Sequence, residues 1–205
     1  KALGLPNDKP SWRMPINDED ALWAGAALNS DKSIVVICPA ASKAERNWHS
    51  EGYAKVADNL VALGYEVVIC GGPTALEKTL ATEILEKSQQ PLANLVGKTS
   101  LKQLLAILKI AHFVIAPDTG PAHMAVTVGT PVVGLYAHSN PERTGPYLYQ
   151  DYVVSYYAQA IAEQFGKPVS QLKWGTRAKG EALMANITVS QVMDKVRLLI
   201  AKEYA

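Results

Sequence analysis

Residues 112–136, HFVIAPDTGPAHMAVTVGTPVVGLY, hold two apolar runs separated by a short amphipathic segment. Each run has the length and the β-branched content of a buried strand. The segment between them predicts a helix over 119–129, because Pro121 suits a first helical turn and Gly129 suits a helix end. A strand, a helix and a second strand in this order are typical of a parallel βαβ unit.

The same alternation continues on both sides of this unit. Apolar runs bounded by glycine, proline or polar residues predict further strands at 33–38, 65–70, 93–97 and 152–157. Helical spacing of apolar residues predicts one helix that begins near Asn17 and four further helices over 49–64, 74–87, 101–111 and 189–205. Ser100, Ser190 and Thr188 are the candidate caps. The fold class is therefore α/β, with a doubly wound, Rossmann-like parallel sheet.

Composition places the chain among ordinary globular proteins. It has 205 residues, of which 48% are hydrophobic, so one substantial core is expected. The 20 basic and 19 acidic residues give a net charge of +1 without a dense basic block, which does not indicate binding to nucleic acid or to a membrane surface. No apolar run approaches the roughly 18 to 20 residues of a membrane span, so no transmembrane segment is expected.

Two cysteines and a proline-rich N-terminal segment are further local features. Cys38 and Cys70 each end a β-branched run and lack companion ligands, so buried thiols are favoured over a disulfide or a zinc site. Residues 1–16 are rich in proline and predict a linker before the α/β domain at 17–205. The chain is accordingly expected to be part of a longer protein.

Ligands of doubly wound sheets bind beyond the carboxyl ends of the strands. The predicted strands end in five loops that hold nearly all the chemically special residues. These loops are 39–48, 71–77, 97–100, 117–123 and 137–147.

The loop at 117–123 predicts an anion site, because the first N–H groups of the following helix lack intrahelical partners. Gly120 permits close approach of a ligand, and Thr119 offers a hydroxyl donor. Asp118 would repel an anion, so it fits a helix cap or an acceptor for sugar hydroxyls. A simple capped helix start is the alternative for Asp118 and Thr119. His123 lies one turn on and fits either a ligand contact or a packed helix residue.

The loop at 39–48 offers a hydroxyl from Ser42 and cations from Lys43 and Arg46. Arginine grips a diphosphate bidentately and lysine adds a point charge, although solvated surface charges are the alternative reading. Glu77 fits either a ribose diol or a helix dipole. The loop at 137–147 fits either a flap with polar contacts from Ser139, Asn140 and Arg143 or a plain surface turn.

These segments together resemble the C-terminal half of family 9 glycosyltransferases, the ADP-heptose:lipopolysaccharide heptosyltransferases. The D-[ST]-G-x-x-H run followed by G-x-P-x-x-x-L-[YF] is rather specific, and the other segments follow in the family's order over about three quarters of the chain. The segments are PAASKAERNWHSEGY (39–53), CGGPTALEK (70–78), NLVGKTSLKQLLAIL (94–108), APDTGPAHMAVTVGTPVVGLYAHSNPERTGPY (116–147) and MANITVSQVMDKV (184–196). Residues 171–184, QLKWGTRAKGEALM, differ from the cysteine-containing segment of many members.

The resemblance implies the donor-binding half of an inverting GT-B glycosyltransferase that adds heptose to the lipopolysaccharide inner core. Residues 1–16 would be the interdomain linker and 17–205 the nucleotide-sugar-binding domain. By matching position, Ser42 and Arg46 would meet the diphosphate, with Lys43 beside them. Glu77 would meet the ribose and Thr99 the adenine. The phosphate and sugar end would be lined by Asp118, Thr119, Gly120 and His123.

The resemblance also implies what lies outside this chain. The family's general base is an acid of the N-terminal domain, so the chain alone is expected to lack a catalytic residue and to be inactive. No cofactor or metal is expected, since cations and amides neutralise the leaving group. The expected partners are the nucleotide sugar ADP-heptose and the lipopolysaccharide acceptor, at a cytoplasmic location that includes the periphery of the inner membrane. The alternatives are a UDP-sugar transferase, a sugar-nucleotide 2-epimerase, or a non-catalytic nucleotide-binding module.

Overall fold

A parallel sheet forms the centre of the computed structural model, which describes residues 12, 14–28 and 30–203. Within these residues the strands are β1 (Ile34–Ile37), β2 (Glu66–Ile69), β3 (Ala93–Asn94), β4 (Phe113–Pro117), β5 (Val132–Tyr136) and β6 (Val154–Ser155). The strand order is β3-β2-β1-β4-β5-β6, and each neighbouring pair is parallel. The predicted doubly wound α/β sheet is confirmed. The order reverses between β1 and β4, which is the topological switch point.

The helices connect the strands and are bounded by local capping. In the described part of the chain they are α1 (Asp18–Ala27), α2 (Ser50–Ala62), α3 (Ala75–Lys87), α4 (Leu101–Ile110), α5 (Gly120–Thr127), α6 (Pro141–Thr144), α7 (Tyr157–Phe165) and α8 (Val189–Glu203). The predicted cap at Ser100 is confirmed, because its hydroxyl accepts a bond from the Gln103 backbone N–H. At α8 the cap is Thr188 and not Ser190, since the Gln191 N–H donates to the Thr188 hydroxyl.

Alternate residues of the strands enter two apolar layers. In β1, Val35 and Ile37 pack with α2, α3 and α8, while Ile34 and Val36 pack with α1, α4 and α5. Cys38 continues the second layer together with Cys70, and both are free, buried thiols as predicted. Burial raises the pKa of Cys70 to about 12 and the pKa of Cys38 well above its usual range. Neither cysteine is therefore a nucleophile at neutral pH.

The predicted strand over 152–157 is confirmed only at its centre and is wrong at both ends. Only Val154 and Ser155 pair with β5, and α7 begins at Tyr157. Tyr157 is buried by packing against Ala160 and Ile161 of the same helix, which Gly166 ends in a left-handed conformation. The helical spacing of these apolar residues and the glycine after them indicate a helix. The alternation of apolar residues in the preceding run obscured this signal.

Trp48 anchors the loop after β1 to the C-terminal part of the chain. Its side chain is 1% exposed, and its indole N–H donates to the carbonyl oxygen of Ile187 at 2.9 Å. The ring also packs edge-on against Tyr53 of α2, with centroids 5.1 Å apart. Trp48 therefore fixes the loop at 43–47 relative to the segment that precedes α8.

His49 caps α2 in a pH-dependent way. Its ring Nδ1 accepts a hydrogen bond from the Gly52 backbone N–H at 2.9 Å, and burial lowers the pKa of His49 from 6.5. The folded chain thus binds this proton more weakly than the unfolded chain. We expect the free energy of unfolding to fall as the pH falls below about 6.5.

Urea unfolding at about pH 8 and about pH 5.5 tests this expectation when it compares the parent with His49→Asn. Asparagine is a good N-cap that does not titrate, so the variant should lose this component of the pH dependence. An identical loss of stability in both proteins between the two pH values would contradict the role of His49.

The ends of the chain qualify two further predictions. Of the predicted linker 1–16, Trp12 and residues 14–16 lie outside any helix or strand, while residues 1–11 and 13 lie outside the described residues. The last two residues of the predicted helix 189–205 also lie outside them. No helix within 14–28 and 30–203 is both long enough and apolar enough to cross a bilayer.

Candidate functional site

The loops after β1 and β4 meet at the switch point of the sheet. Together with the first turn of α5, they carry seven of the nine predicted site residues: Ser42, Lys43, Arg46, Asp118, Thr119, Gly120 and His123. The Thr119 hydroxyl donates to the carbonyl oxygen of Ala40 at 3.1 Å and so ties the two loops together. In this arrangement the Thr119 hydroxyl hydrogen is engaged by the protein itself. The hydroxyl oxygen keeps its capacity to accept.

Arg46 and Asp118 form an ion pair across the switch point. An Nη atom of Arg46 lies 3.7 Å from a carboxylate oxygen of Asp118, and the two side chains are only 15% and 13% exposed. The other Nη atom of Arg46 donates to the Ser42 hydroxyl at 2.8 Å. Because the carboxylate contacts a guanidinium, Asp118 repels a neighbouring anion less than an unpaired carboxylate would. The Nε atom of Arg46 is buried without a protein partner.

The loop at 137–147 packs over Asp118. The Ser139 hydroxyl donates to the Asp118 carboxylate at 2.7 Å, and His138, Ser139 and Asn140 are all buried. Asn140 caps α6, because its side-chain oxygen accepts from the Glu142 N–H at 3.0 Å. Residues 138–140 are thus not a plain surface turn, while ligand contacts of Ser139, Asn140 and Arg143 stay predictions. The Ser139 hydrogen bond helps to hold the Asp118 carboxylate in place.

The N-terminus of α5 faces the same corner. Gly120 is exposed at the start of this helix, and no side chain caps the helix from Thr119. His123 is 53% exposed, with its Nε2 atom 4.0 Å from an Asp118 oxygen. His123 is therefore not the packed helix residue of the alternative reading. Pro121 has no N–H and the Ala122 N–H donates to the Thr119 carbonyl oxygen, so the N–H of Gly120 and the helix dipole make this end of α5 suited to an anion.

Glu77 and Thr99 follow β2 and β3, on the side of β1 away from β4. The Glu77 carboxylate accepts from the Gly72 N–H at 2.6 Å and from the Thr74 hydroxyl at 2.5 Å, in a capping box at the start of α3. Glu77 thus lies in the first turn of α3, as the helix-dipole alternative requires, and also caps the helix. Thr99 is half-buried beside the turn at Gly97. Contacts of Glu77 with a ribose and of Thr99 with an adenine stay predictions.

A groove of about 780 Å³ opens beside Arg46. It is lined by Lys43, Ala44, Glu45, Arg46, His138, Arg177, Ala178, Lys179, Gly180 and Glu181. The sequence pattern predicted ligand contacts for Lys43 and Arg46 but not for Arg177 and Lys179. No local motif marks the latter two residues, because only tertiary contacts bring their segment to the switch point.

Metal-ligating side chains are not grouped in the described part of the chain. No cluster of three or more His, Cys, Asp or Glu side chains with the geometry of a metal site occurs there. The cations and the helix N-terminus supply the positive charge of this corner. The expectation that the reaction requires no metal stays a prediction.

A doubly wound sheet with cations and a free helix N-terminus at its switch point defines an α/β domain of the kind that binds phosphorylated ligands. Within this class the chain belongs to glycosyltransferase family 9, the heptosyltransferases, whose family model matches residues 1–175.

Individual relatives agree with the family. The chain is 40% identical over 197 residues to the lipopolysaccharide core heptosyltransferase OpsX of Haemophilus influenzae, covering 96% of this chain and 57% of the relative. It is 28% identical over 185 residues to the lipopolysaccharide heptosyltransferase 2 of Escherichia coli, covering 87% of this chain and 50% of the relative. The chain thus spans about half the length of these curated relatives.

Solved structures share the fold. A family 9 glycosyltransferase of Veillonella parvula superposes with a TM-score of 0.76 at 23% identity, over 98% of this chain and 57% of that one. The ADP-heptose lipopolysaccharide heptosyltransferase II of Escherichia coli gives 0.75 at 22% identity, over 100% of this chain and 58% of that one. At these identities the likeness supports the GT-B type of fold alone.

Proposed function

We propose that this chain is the donor-binding half of an inverting heptosyltransferase that acts on the lipopolysaccharide core, with ADP-heptose as the donor. The Arg46–Asp118 pair beside the N-terminus of α5 is the observation that carries the proposal. It combines positive charge for a diphosphate with a carboxylate that can accept from sugar hydroxyls. Two relatives agree, since OpsX is a lipopolysaccharide core heptosyltransferase and the Escherichia coli protein of similar fold is an ADP-heptose heptosyltransferase.

The proposed chemistry is transfer with inversion at the anomeric carbon. As the bond from this carbon to the diphosphate breaks, negative charge grows on the ADP leaving group. Arg46, Lys43 and the backbone N–H of Gly120 stabilise that charge. Asp118 and His123 contact the sugar. The general base that deprotonates the acceptor hydroxyl is supplied by the remaining part of the longer protein, so this chain alone is inactive.

The partners and location follow from the same proposal. The lipopolysaccharide acceptor is bound together with the other half of the protein, on the cytoplasmic side of the inner membrane. No cofactor or metal takes part, because the arginine, the lysine and the amides neutralise the leaving group.

Nucleotide preference tests the donor assignment. Calorimetric titration of the chain with ADP and with UDP should show tighter binding of ADP. Tighter binding of UDP would contradict the heptose donor and favour a UDP-sugar transferase or a 2-epimerase.

Activity of the longer protein is a separate test. The full-length protein that contains this sequence should transfer heptose from ADP-heptose to a deacylated lipopolysaccharide acceptor, whereas the 205-residue chain should not. No transfer by the full-length protein would favour a non-catalytic nucleotide-binding module.

A further inference from the structure

Residues 176–179 form a segment without helix or strand that is nevertheless firmly tethered. The Tyr157 hydroxyl donates to the Thr176 carbonyl oxygen at 2.7 Å. The Gln164 side chain donates to the Lys179 carbonyl oxygen at 2.6 Å and accepts from the Lys179 N–H at 2.9 Å. Both anchoring side chains belong to α7, so this helix fixes the segment from one side.

His138 fixes the same segment from the other side. The Ala178 N–H donates to the His138 carbonyl oxygen at 3.0 Å, and the His138 Nδ1 lies 3.3 Å from the Ala178 carbonyl oxygen. A carbonyl oxygen only accepts, so in this contact the hydrogen is on Nδ1, and in the neutral tautomer with this hydrogen Nε2 carries a free lone pair. The His138 ring is part of a residue that is only 6% exposed, and its Nε2 has no protein partner.

Ala178 is buried between two exposed cations. Arg177 and Lys179 line the groove from the segment after α7, and Lys43 and Arg46 line it from the loop after β1. The groove lining thus has four cations against the two carboxylates of Glu45 and Glu181, with Asp118 paired to Arg46 beside it, whereas the whole chain has a net charge of only +1. Hydrogen bonds already hold the backbone of residues 176–179 in place, so little backbone entropy is lost when an anion binds.

We propose that this groove binds a phosphate group attached to a hydroxyl-bearing sugar, with Arg177 and Lys179 as phosphate ligands and His138 as the acceptor for a sugar hydroxyl. The four cations of the groove take the phosphate oxygens, and Arg46 supplies an additional unpartnered N–H donor at Nε. A phosphate alone would leave the lone pair on the His138 Nε2 unused. A sugar hydroxyl satisfies it.

The inference deepens the proposed function and rests on it where the donor is concerned. Two sources supply a sugar phosphate: the diphosphate end of the nucleotide sugar, or a phosphorylated sugar of the acceptor. The groove adjoins the Arg46–Asp118 pair, since Arg46 belongs to both. Either source therefore lies next to the reacting sugar.

The double variant Arg177→Gln, Lys179→Gln tests the phosphate ligands. Calorimetry with ADP should show binding weakened about tenfold or more if the donor diphosphate occupies the groove. If an acceptor phosphate occupies it, ADP binding stays at the parent level. Glucose 6-phosphate added to the ADP-saturated chain should then bind about tenfold more weakly than to the parent, as measured by NMR shifts of the 177–179 amides.

The matched control is Lys167→Gln, Lys173→Gln, which removes the same charge from exposed positions near the segment but outside the groove. If the groove variant and this control bind both probes as tightly as the parent, the proposal is overturned. Titration with inorganic pyrophosphate distinguishes a failure of the groove proposal from a failure of the donor proposal. A parent that binds pyrophosphate at 177–179 but not ADP would sustain the groove and refute the proposed donor.

His138→Phe tests the hydroxyl contact, because it keeps an aromatic ring and removes the acceptor. Circular dichroism melting first establishes that the variant folds. The variant should bind the sugar phosphate more weakly and pyrophosphate as tightly as the parent. His138→Gln, which restores an acceptor, should recover part of the loss. Unchanged sugar phosphate affinity in His138→Phe would refute the contact.

Discussion

Replacement of Trp48 by alanine should lower the free energy of unfolding by about 3 to 5 kcal/mol, the range for removal of a large buried aromatic side chain. Trp48 is 1% exposed, packs against Tyr53 and donates to the Ile187 carbonyl oxygen. The variant loses this packing and also leaves the Ile187 carbonyl without its indole donor. Urea unfolding followed by circular dichroism measures the change.

Trp174 provides the matched control, because it is 57% exposed. Its replacement by alanine should change the free energy of unfolding by no more than about 0.5 kcal/mol. Trp48→Phe, which keeps a ring but not the N–H donor, should fall between the alanine variant and the parent. Equal stability of the Trp48 and Trp174 alanine variants would show that Trp48 does not anchor the loop.

Arg46→Ala should weaken binding of ADP and of ADP-heptose by about tenfold to a hundredfold, since a hydrogen bond to a charged group contributes about 1.5 to 3 kcal/mol. The Arg46 side chain contacts Ser42 and Asp118 and also lines the groove. Its loss removes the positive charge that faces the diphosphate and leaves Asp118 without its guanidinium partner. Calorimetric titration of the variant and the parent measures the effect.

Arg46→Lys separates charge from geometry. Lysine keeps the charge but not the planar fork, so this variant should bind between the parent and the alanine variant. Arg197→Ala removes an exposed arginine from α8 and should bind ADP as the parent does. Binding of ADP to Arg46→Ala at the parent level would refute the diphosphate assignment.

The sequence was sufficient for the sheet and for one wall of the site. Apolar runs such as 33–38 and 131–136 predicted the strands because β-branched content and flanking glycine or proline are local signals. Since all strands are parallel, their C-terminal loops share one edge, and the pattern of strands alone predicts that Arg46 and Asp118 lie there together. Their direct contact at 3.7 Å confirms that proximity.

The contribution of Arg177 and Lys179 to the groove could not be predicted from local sequence patterns. Arg177 and Lys179 lie in a segment without regular structure, and only bonds to Gln164 and His138 bring it to the groove. Those partners precede the segment by 15 and about 40 residues, so no short motif records the contact. Helix α7 was missed for a related reason, because the alternation before Tyr157 suggested a strand and its pairing stops at Ser155.

The bond between Trp48 and Ile187 spans 139 residues of sequence. During synthesis the loop at 43–47 leaves the ribosome long before Ile187, so its partner is absent while most of the domain is being made. Contacts of such high sequence separation close a long loop and slow folding. The loop at 43–47 is consequently anchored only when Ile187 has emerged, and a nascent chain that ends before Ile187 should lack a finished ligand site.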